Sequence, residues 1–201
     1  VAGGYDAIMV AANGPDAISS ALQEAKDQGI KIVYVDSPAN VEAEATFSTD
    51  NEAAGTTAGE EMKKALEDAG ITSGKIGVIN VNAATDSCVN REEGFRAAFD
   101  GTDFEIMETQ YGEGDAAKSQ SIAENYITQG VVGIFGCNEG STTGAGNAND
   151  VKEEEFLKNA IVITLGVIIG VTGVLAICAH LADAAKLALY APEDEDDEDI
   201  Y

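Results

Sequence analysis

Apolar positions along this chain alternate between two patterns, short continuous runs and sets at helical spacing. Tyr5–Ala12, Ile30–Val35, Ile76–Val81 and Val131–Cys137 are runs rich in Val and Ile, and they predict strands buried on both faces of a parallel sheet. Phe104–Thr109 predicts a further short strand. Between the runs, Ala17, Ile18, Ala21, Leu22 and Ala25 recur every three or four residues, and Gly29 closes that helix. Helices are likewise predicted from about Glu52 to Ala69, from the loop after Val81 to Phe99, and from Asp115 to Gln129. Val41–Asn51 reads as an extended connection, and Gly140–Ala148 as a loop and a short helix. Strands alternating with helices give an α/β fold, a parallel sheet with helices on both faces, and in a flavodoxin-like order the strands starting near Ile76 and Val131 would be neighbours. Strand–helix–strand crossovers in such a sheet are right-handed, and ligands bind at the carboxyl ends of its strands.

One stretch breaks the alternation. Asn159–Ala179 is free of charge and proline, and its 21 residues meet the length of a membrane span. Gly166 and Gly170 form a GxxxG pair that lets helices pack closely in lipid. The expectation is one continuous apolar helix, offering membrane lipid as a partner through residues 159–179. A buried core helix, or a strand at Ala160–Leu165 followed by a helix, is the other reading. Lysines 152 and 158 on the amino side against Lys186 on the carboxyl side would orient such a span with the preceding lobe in the cytoplasm. Seven consecutive acids, Glu193–Asp199, follow and predict a disordered tail.

Composition narrows the chemistry. The chain has 201 residues, 45% hydrophobic, enough for one domain or one and a half. A net charge of −25 argues against nucleic acid and anionic membrane surfaces as partners. A transcription regulator would need a basic helix-turn-helix, which is missing. Three cysteines exclude a disulfide scaffold. Cys88 and Cys137 are expected near each other and Cys178 apart. No CxxC or His-rich spacing suggests a metal, and His180 stands alone. There is no nucleophile elbow and no pair of carboxylates with a histidine, so neither an enzyme nor a cofactor is expected. The glycines of Gly112–Gly114 and Gly140–Gly146 are too irregular for a phosphate loop.

The richest segment is Lys75–Phe95, a strand, the small polar loop Asn82–Asp86, and a helix carrying Arg91. A cation early in a helix opposes the dipole, so its fork of donors is better used on a polar ligand. The order strand, polar loop, NREEGF, and later GIFGCNEG resembles the type I periplasmic binding proteins, the ribose-type sugar-binding proteins of bacterial ATP-binding-cassette importers. The resemblance covers roughly residues 5–147. It implies that Arg91, three residues before Gly94-Phe95, binds sugar hydroxyls; the other reading of Arg91 is an interlobe or surface salt bridge. It implies strand-end ligands at Asp36 and Asn138, with Ser37 standing where ribose binders carry an arginine. Thr49 and Asp50 match a Ser-Asp-Asn-like segment after the first crossing between lobes, or else form a turn. Tyr111 is placed to stack on a sugar ring, or to pack at the rim.

The same resemblance divides the chain into residues 1–40 as a remnant of a first lobe, 41–148 as a second lobe, 149–190 as the apolar helix, and 191–201 as the acidic tail. Two further βα units would precede residue 1, so a truncated fragment is expected, binding sugar weakly or not at all. The implied partners are a small sugar or other polar solute and the importer's membrane subunits. The implied location is the periplasm or outer membrane face, with anchoring if 159–179 spans. Arg91→Ala is expected to remove sugar affinity while sparing the fold. The alternative is a membrane-anchored sensor or structural protein with a non-binding lobe. A foreign carboxyl tail, through fusion or frameshift, is a further reading.

Overall fold

The computed structural model describes residues 2–156 and 163–166. Two parallel sheets carry the fold. The first joins β1 (Ala7–Val10), β2 (Lys31–Val35) and β3 (Ala45–Phe47) in that order. The helix α1 (Ser19–Asp27) crosses from β1 to β2 and buries Leu22 and Ala25. Together with Ile32, Tyr34 and Val41 they form the apolar interior of this part. The connection expected to be merely extended therefore contains β3, whose three residues pair with Val33–Val35.

The second sheet has the order β5 (Phe104–Ile106), β4 (Gly74–Asn80), β7 (Val131–Gly136), β8 (Ile163–Gly166). A two-residue strand β6 (Gln110–Tyr111) also pairs with β4. The strand expected over 104–109 ends at Ile106, and β6 lies just beyond the expected range. All these pairs are parallel. Residues Ile76–Asn80 of β4 are buried without interruption, as a strand covered on both faces must be. The neighbours β4 and β7 are the first and third strands expected at the switch point.

Covering helices are α2 (Asn51–Asp68), α3 (Asp86–Ala97), α4 (Ala116–Thr128) and α5 (Glu139–Phe156). Asp50 caps α2, its carboxylate accepting from Ala53 N at 3.0 Å, and Asp115 caps α4 through Lys118 N at 2.7 Å. The packing of α2 on α3 depends on two glycines. A Cβ on Gly55 would collide with the Arg91 carbonyl, and one on Gly94 with the Glu52 carbonyl. These backbones touch because neither residue has a side chain.

The expectation of a continuous helix over 159–179 is corrected at 163–166. There Ile163–Gly166 pairs in parallel with Gly133–Gly136 of β7. The physical reason is the edge that β7 would otherwise present: a buried apolar strand leaves backbone groups that need partners. Β-branched Ile163 and Thr164 suit that role. Residues 159–162 and 167–179, the acidic stretch 193–199 and Cys178 lie outside the described residues. Among the described residues no helix is long and apolar enough to cross a membrane.

Candidate functional site

Strand ends from both sheets converge. The loop after β1 meets the loop after β4: Thr85 Oγ1 donates to Asn13 O at 2.9 Å and Asn82 Nδ2 donates to the same carbonyl at 3.3 Å. The residue after Asp36 does the same for β2: Ser37 Oγ donates to Ser87 Oγ at 2.8 Å, and Ser87 N donates to Ser37 Oγ at 3.2 Å. Both serines are buried. The crevice between the carboxyl ends is therefore a polar seam.

At its centre lies Arg91, in the second turn of α3 and 1% exposed. Its Nη2 donates to Asp36 Oδ2 at 2.9 Å, its Nη1 to Cys137 O at 2.9 Å, and its Nε to Asn51 Oδ1 at 2.7 Å. Asn51 closes the circuit by donating Nδ2 to Asp36 Oδ1 at 2.8 Å. Thr49 N also donates to Asp36 Oδ1, at 3.3 Å. Asp36 is aimed by its backbone. It sits at φ 63, a left-handed conformation that costs a non-glycine residue on the order of 1 kcal/mol. Its own N–H is held by Phe47 O at 2.8 Å, and Ser37 N closes a tight turn onto Val35 O at 2.7 Å. Strain of this kind is held by surrounding contacts and clusters at ligand sites.

Of the residues expected at the site, Asp36 and Arg91 are brought into direct contact, and Thr49 joins them through its backbone. Asn138 follows Cys137 directly. Its Oδ1 accepts from Ser141 N at 3.1 Å, capping α5, and its Nδ2 has no partner among the described residues. Asp50 is occupied in capping α2, and Tyr111 is 42% exposed on β6. Neither touches the Arg91 network. The salt-bridge reading of Arg91 holds as geometry, and it corrects the expectation that removing Arg91 would spare the fold. Deleting one partner of a buried pair leaves an uncompensated charge, at a cost of about 3–5 kcal/mol.

Sequence reasoning passed over Asn51, Ser37 and Ser87 as site residues. Asn51 was legible as part of Ser48-Thr49-Asp50-Asn51, but nothing in that string says which side chain turns inward. Cys88 and Cys137 are free, buried thiols. They flank Arg91, whose Nη1 lies 3.9 Å from Cys88 Sγ. Burial pushes both thiols up, Cys137 well above its ordinary value, with the Arg91 charge opposing the rise. Two surface cavities lie away from the seam. One of about 460 Å³ is bounded by Met107, Gln110, Ile122 and Tyr126, and one of about 370 Å³ by Lys26, Ile30, Glu42 and Glu44. Neither contains a converging set of strand ends, so the seam has the stronger chemical claim.

Comparison with known proteins follows the fold. The family described as a periplasmic binding protein domain matches residues 1–183. A solute-binding protein of an ABC transporter from Agrobacterium vitis, with bound D-fucose, is 28% identical at a TM-score of 0.70. The match covers 81% of this chain and 57% of that one. Another from Agrobacterium vitis, bound with alpha-D-tagatopyranose, is 24% identical at 0.72, covering 90% and 71%. An arabinose-binding protein from Geobacillus stearothermophilus is 26% identical at 0.62, covering 81% and 55%. The chain thus spans a little over half the length of some of these relatives. Among curated proteins there is no match.

Proposed function

The chain belongs to the family of periplasmic binding protein domains, and on that premise we propose that it binds a small polar solute of the sugar class at the Asp36–Arg91 seam. The family is one of solute binding and not of enzymes. Several similar structures are solute-binding proteins of ABC transporters, and both of those from Agrobacterium vitis carry bound sugars. By that likeness the chain would serve an ATP-binding-cassette importer, whose membrane subunits are its partners, on the periplasmic side. The two sheets then belong to the two lobes that face the solute.

The observation that carries this reading is what remains free at the ion pair. Of five guanidinium N–H groups, Arg91 commits Nε and one each on Nη1 and Nη2 to close oxygen partners, and the second on Nη1 faces Cys88 Sγ at 3.9 Å. Among the described residues a second N–H on Nη2 is left, beside a carboxylate whose Oδ2 has one acceptor position to spare. A hydroxyl can accept from the one and donate to the other, and Asn138 Nδ2 supplies a further donor at the neighbouring strand end. Charge-assisted bonds of this kind are the strong ones. Asp36, Asn138 and Arg91 are the proposed ligand groups. Thr49 contributes its backbone, and Tyr111 and Asp50 stand outside the Arg91 network.

Calorimetric titration with D-fucose, D-tagatose, L-arabinose and D-galactose tests the proposal. Arg91→Lys keeps the charge but loses the planar fork. Loss of a charged hydrogen bond costs about 1.5–3 kcal/mol, so affinity in the variant should fall roughly ten- to a hundredfold. Absence of binding by the wild-type chain, or undiminished affinity in the variant, overturns the assignment. The alternative of a membrane-anchored sensor is not better supported, and β8 occupies part of the run on which it depended.

A further inference from the structure

We propose that Asn51 is a positioning residue of the seam: it fixes Arg91 and Asp36 in one arrangement and so decides which N–H and which lone pairs a solute meets. This deepens the solute-binding reading and rests on it for its functional consequence, while the geometry stands by itself. Asn51 is 5% exposed and is the first residue of α2, and its amide is used at both ends. Oδ1 accepts from Arg91 Nε at 2.7 Å. Nδ2 donates to Asp36 Oδ1 at 2.8 Å and to Thr49 O at 3.2 Å.

These contacts tie three chain segments to one planar group. An amide alone suits the position, because it accepts from a cation on one side and donates to an anion on the other. A carboxylate would lose the donor, and an alkyl group would lose both. The approach that allows this is made by the two glycines. Gly55 lies one turn after Asn51, against the Arg91 carbonyl, and Gly94 lies nearly one turn after Arg91, against the Glu52 carbonyl. The two helices meet with backbones in contact at this level, so a short side chain spans the gap. With Nε held by Asn51 and Nη1 by Cys137 O, the guanidinium plane has no freedom to turn. The remaining Nη2 donor keeps one direction.

The chain contains two arginines, Arg91 and Arg96, which makes the test direct. Arg96 is held separately, its Nε donating to Glu92 Oε1 at 2.8 Å, and serves as an internal control. Nitrogen–proton spectra of the arginine Nε–H groups should show both protected from solvent exchange in the wild-type chain. In Asn51→Ala the Arg91 signal should lose protection at least about tenfold, as loss of a bond to a charged group implies, while Arg96 is unchanged. Asn51→Asp retains the acceptor, so Arg91 Nε–H should stay protected. Sugar affinity, measured with the same four sugars, should fall in both variants, because both lose the donor to Asp36. Unchanged Arg91 protection in Asn51→Ala, with Arg96 behaving as in the wild type, overturns the proposal. So does full affinity in both variants. If the wild-type chain binds none of the sugars yet Arg91 protection is lost in Asn51→Ala, the positioning stands and the solute reading falls. Should Asn51→Ala fail to fold, Asn51→Asp still decides through its affinity and its Nε–H signal.

Discussion

Tyr126 shows how a single side chain links sheet, loop and pH. It is 3% exposed, and its hydroxyl lies 2.6 Å from Glu108 O and 3.1 Å from Val78 O, donating between them. Burial penalises the phenolate and pushes the hydroxyl up to about 12 from its ordinary value of 10.0. Because the folded value is the higher one, this contribution to stability is fully present below pH 10 and is lost as pH rises through about 12. Tyr126→Phe should cost about 1 kcal/mol at neutral pH. The gap between wild type and variant should narrow as pH climbs across that window. Urea unfolding of both proteins at a series of pH values checks it; a constant gap would mean that the hydroxyl is not selectively held in its protonated form. Asp36 makes a related point about single residues. Its sequence position at a strand end was suggestive, but its left-handed backbone and its reach to Arg91 are properties of the folded turn.

Helices and strands respond to the spaces between them. Gly94 and Gly146 are both helical glycines, yet their environments are opposite. A Cβ on Gly94 would strike the Glu52 carbonyl and the backbone of Thr56, which cannot move aside without parting α2 from α3. Gly94→Ala should therefore destabilise by about 1–3 kcal/mol, the usual cost of overpacking. Around Gly146 nothing among the described residues lies within 4 Å of such an atom. Gly146→Ala should instead stabilise by up to about 1 kcal/mol through helix propensity. Thermal denaturation of the two variants reads both signs; equal effects would mean that helix propensity, not contact, governs the α2–α3 packing. Strand β8 belongs to the same scale. Its residues had helical length and lacked a turn signal, so the local pattern favoured a helix. The vacant edge of β7 reversed that choice for Ile163–Gly166.

Across the whole molecule, 36 acidic residues face 11 basic ones. Such an excess repels itself in the compact state. Raising salt from about 10 mM to about 150 mM shortens the screening length from about 30 Å to about 8 Å. The unfolding midpoint should accordingly rise with added salt, and a scanning calorimeter reads the change. An unchanged or falling midpoint would show that the acids are spaced too widely for repulsion to matter. The same excess sharpens the meaning of Arg91. A buried cation in an acidic chain is well supplied with partners, yet it takes one carboxylate, one amide and one carbonyl from three separate segments. Those segments come from both sheets, so the seam exists when the two are closed on each other.

The order of the main strands and helices, β1, α1, β2, α2, β4, α3, β5, α4 and β7, was determined by the sequence itself, because the period of apolar residues fixes which face each element must bury. Burial without a break in β4 was likewise written in Ile76–Val81, and capping of α4 in Asp115. The convergence of Asp36 and Arg91 was foreseeable as far as both stood at strand ends or just beyond, where parallel sheets gather their loops. The tertiary structure alone decided that Asn51 turns inward and Asp50 outward. Adjacent residues at a helix start differ by about 100° in direction, and what awaits each direction depends on a helix 40 positions away. It alone decided that Arg91 is already paired, because the distance between two sheets has no trace in local pattern. And it alone placed Ile163–Gly166 in the sheet, since a strand's place is set by the open hydrogen-bonding edge of its neighbour, not by its own residues.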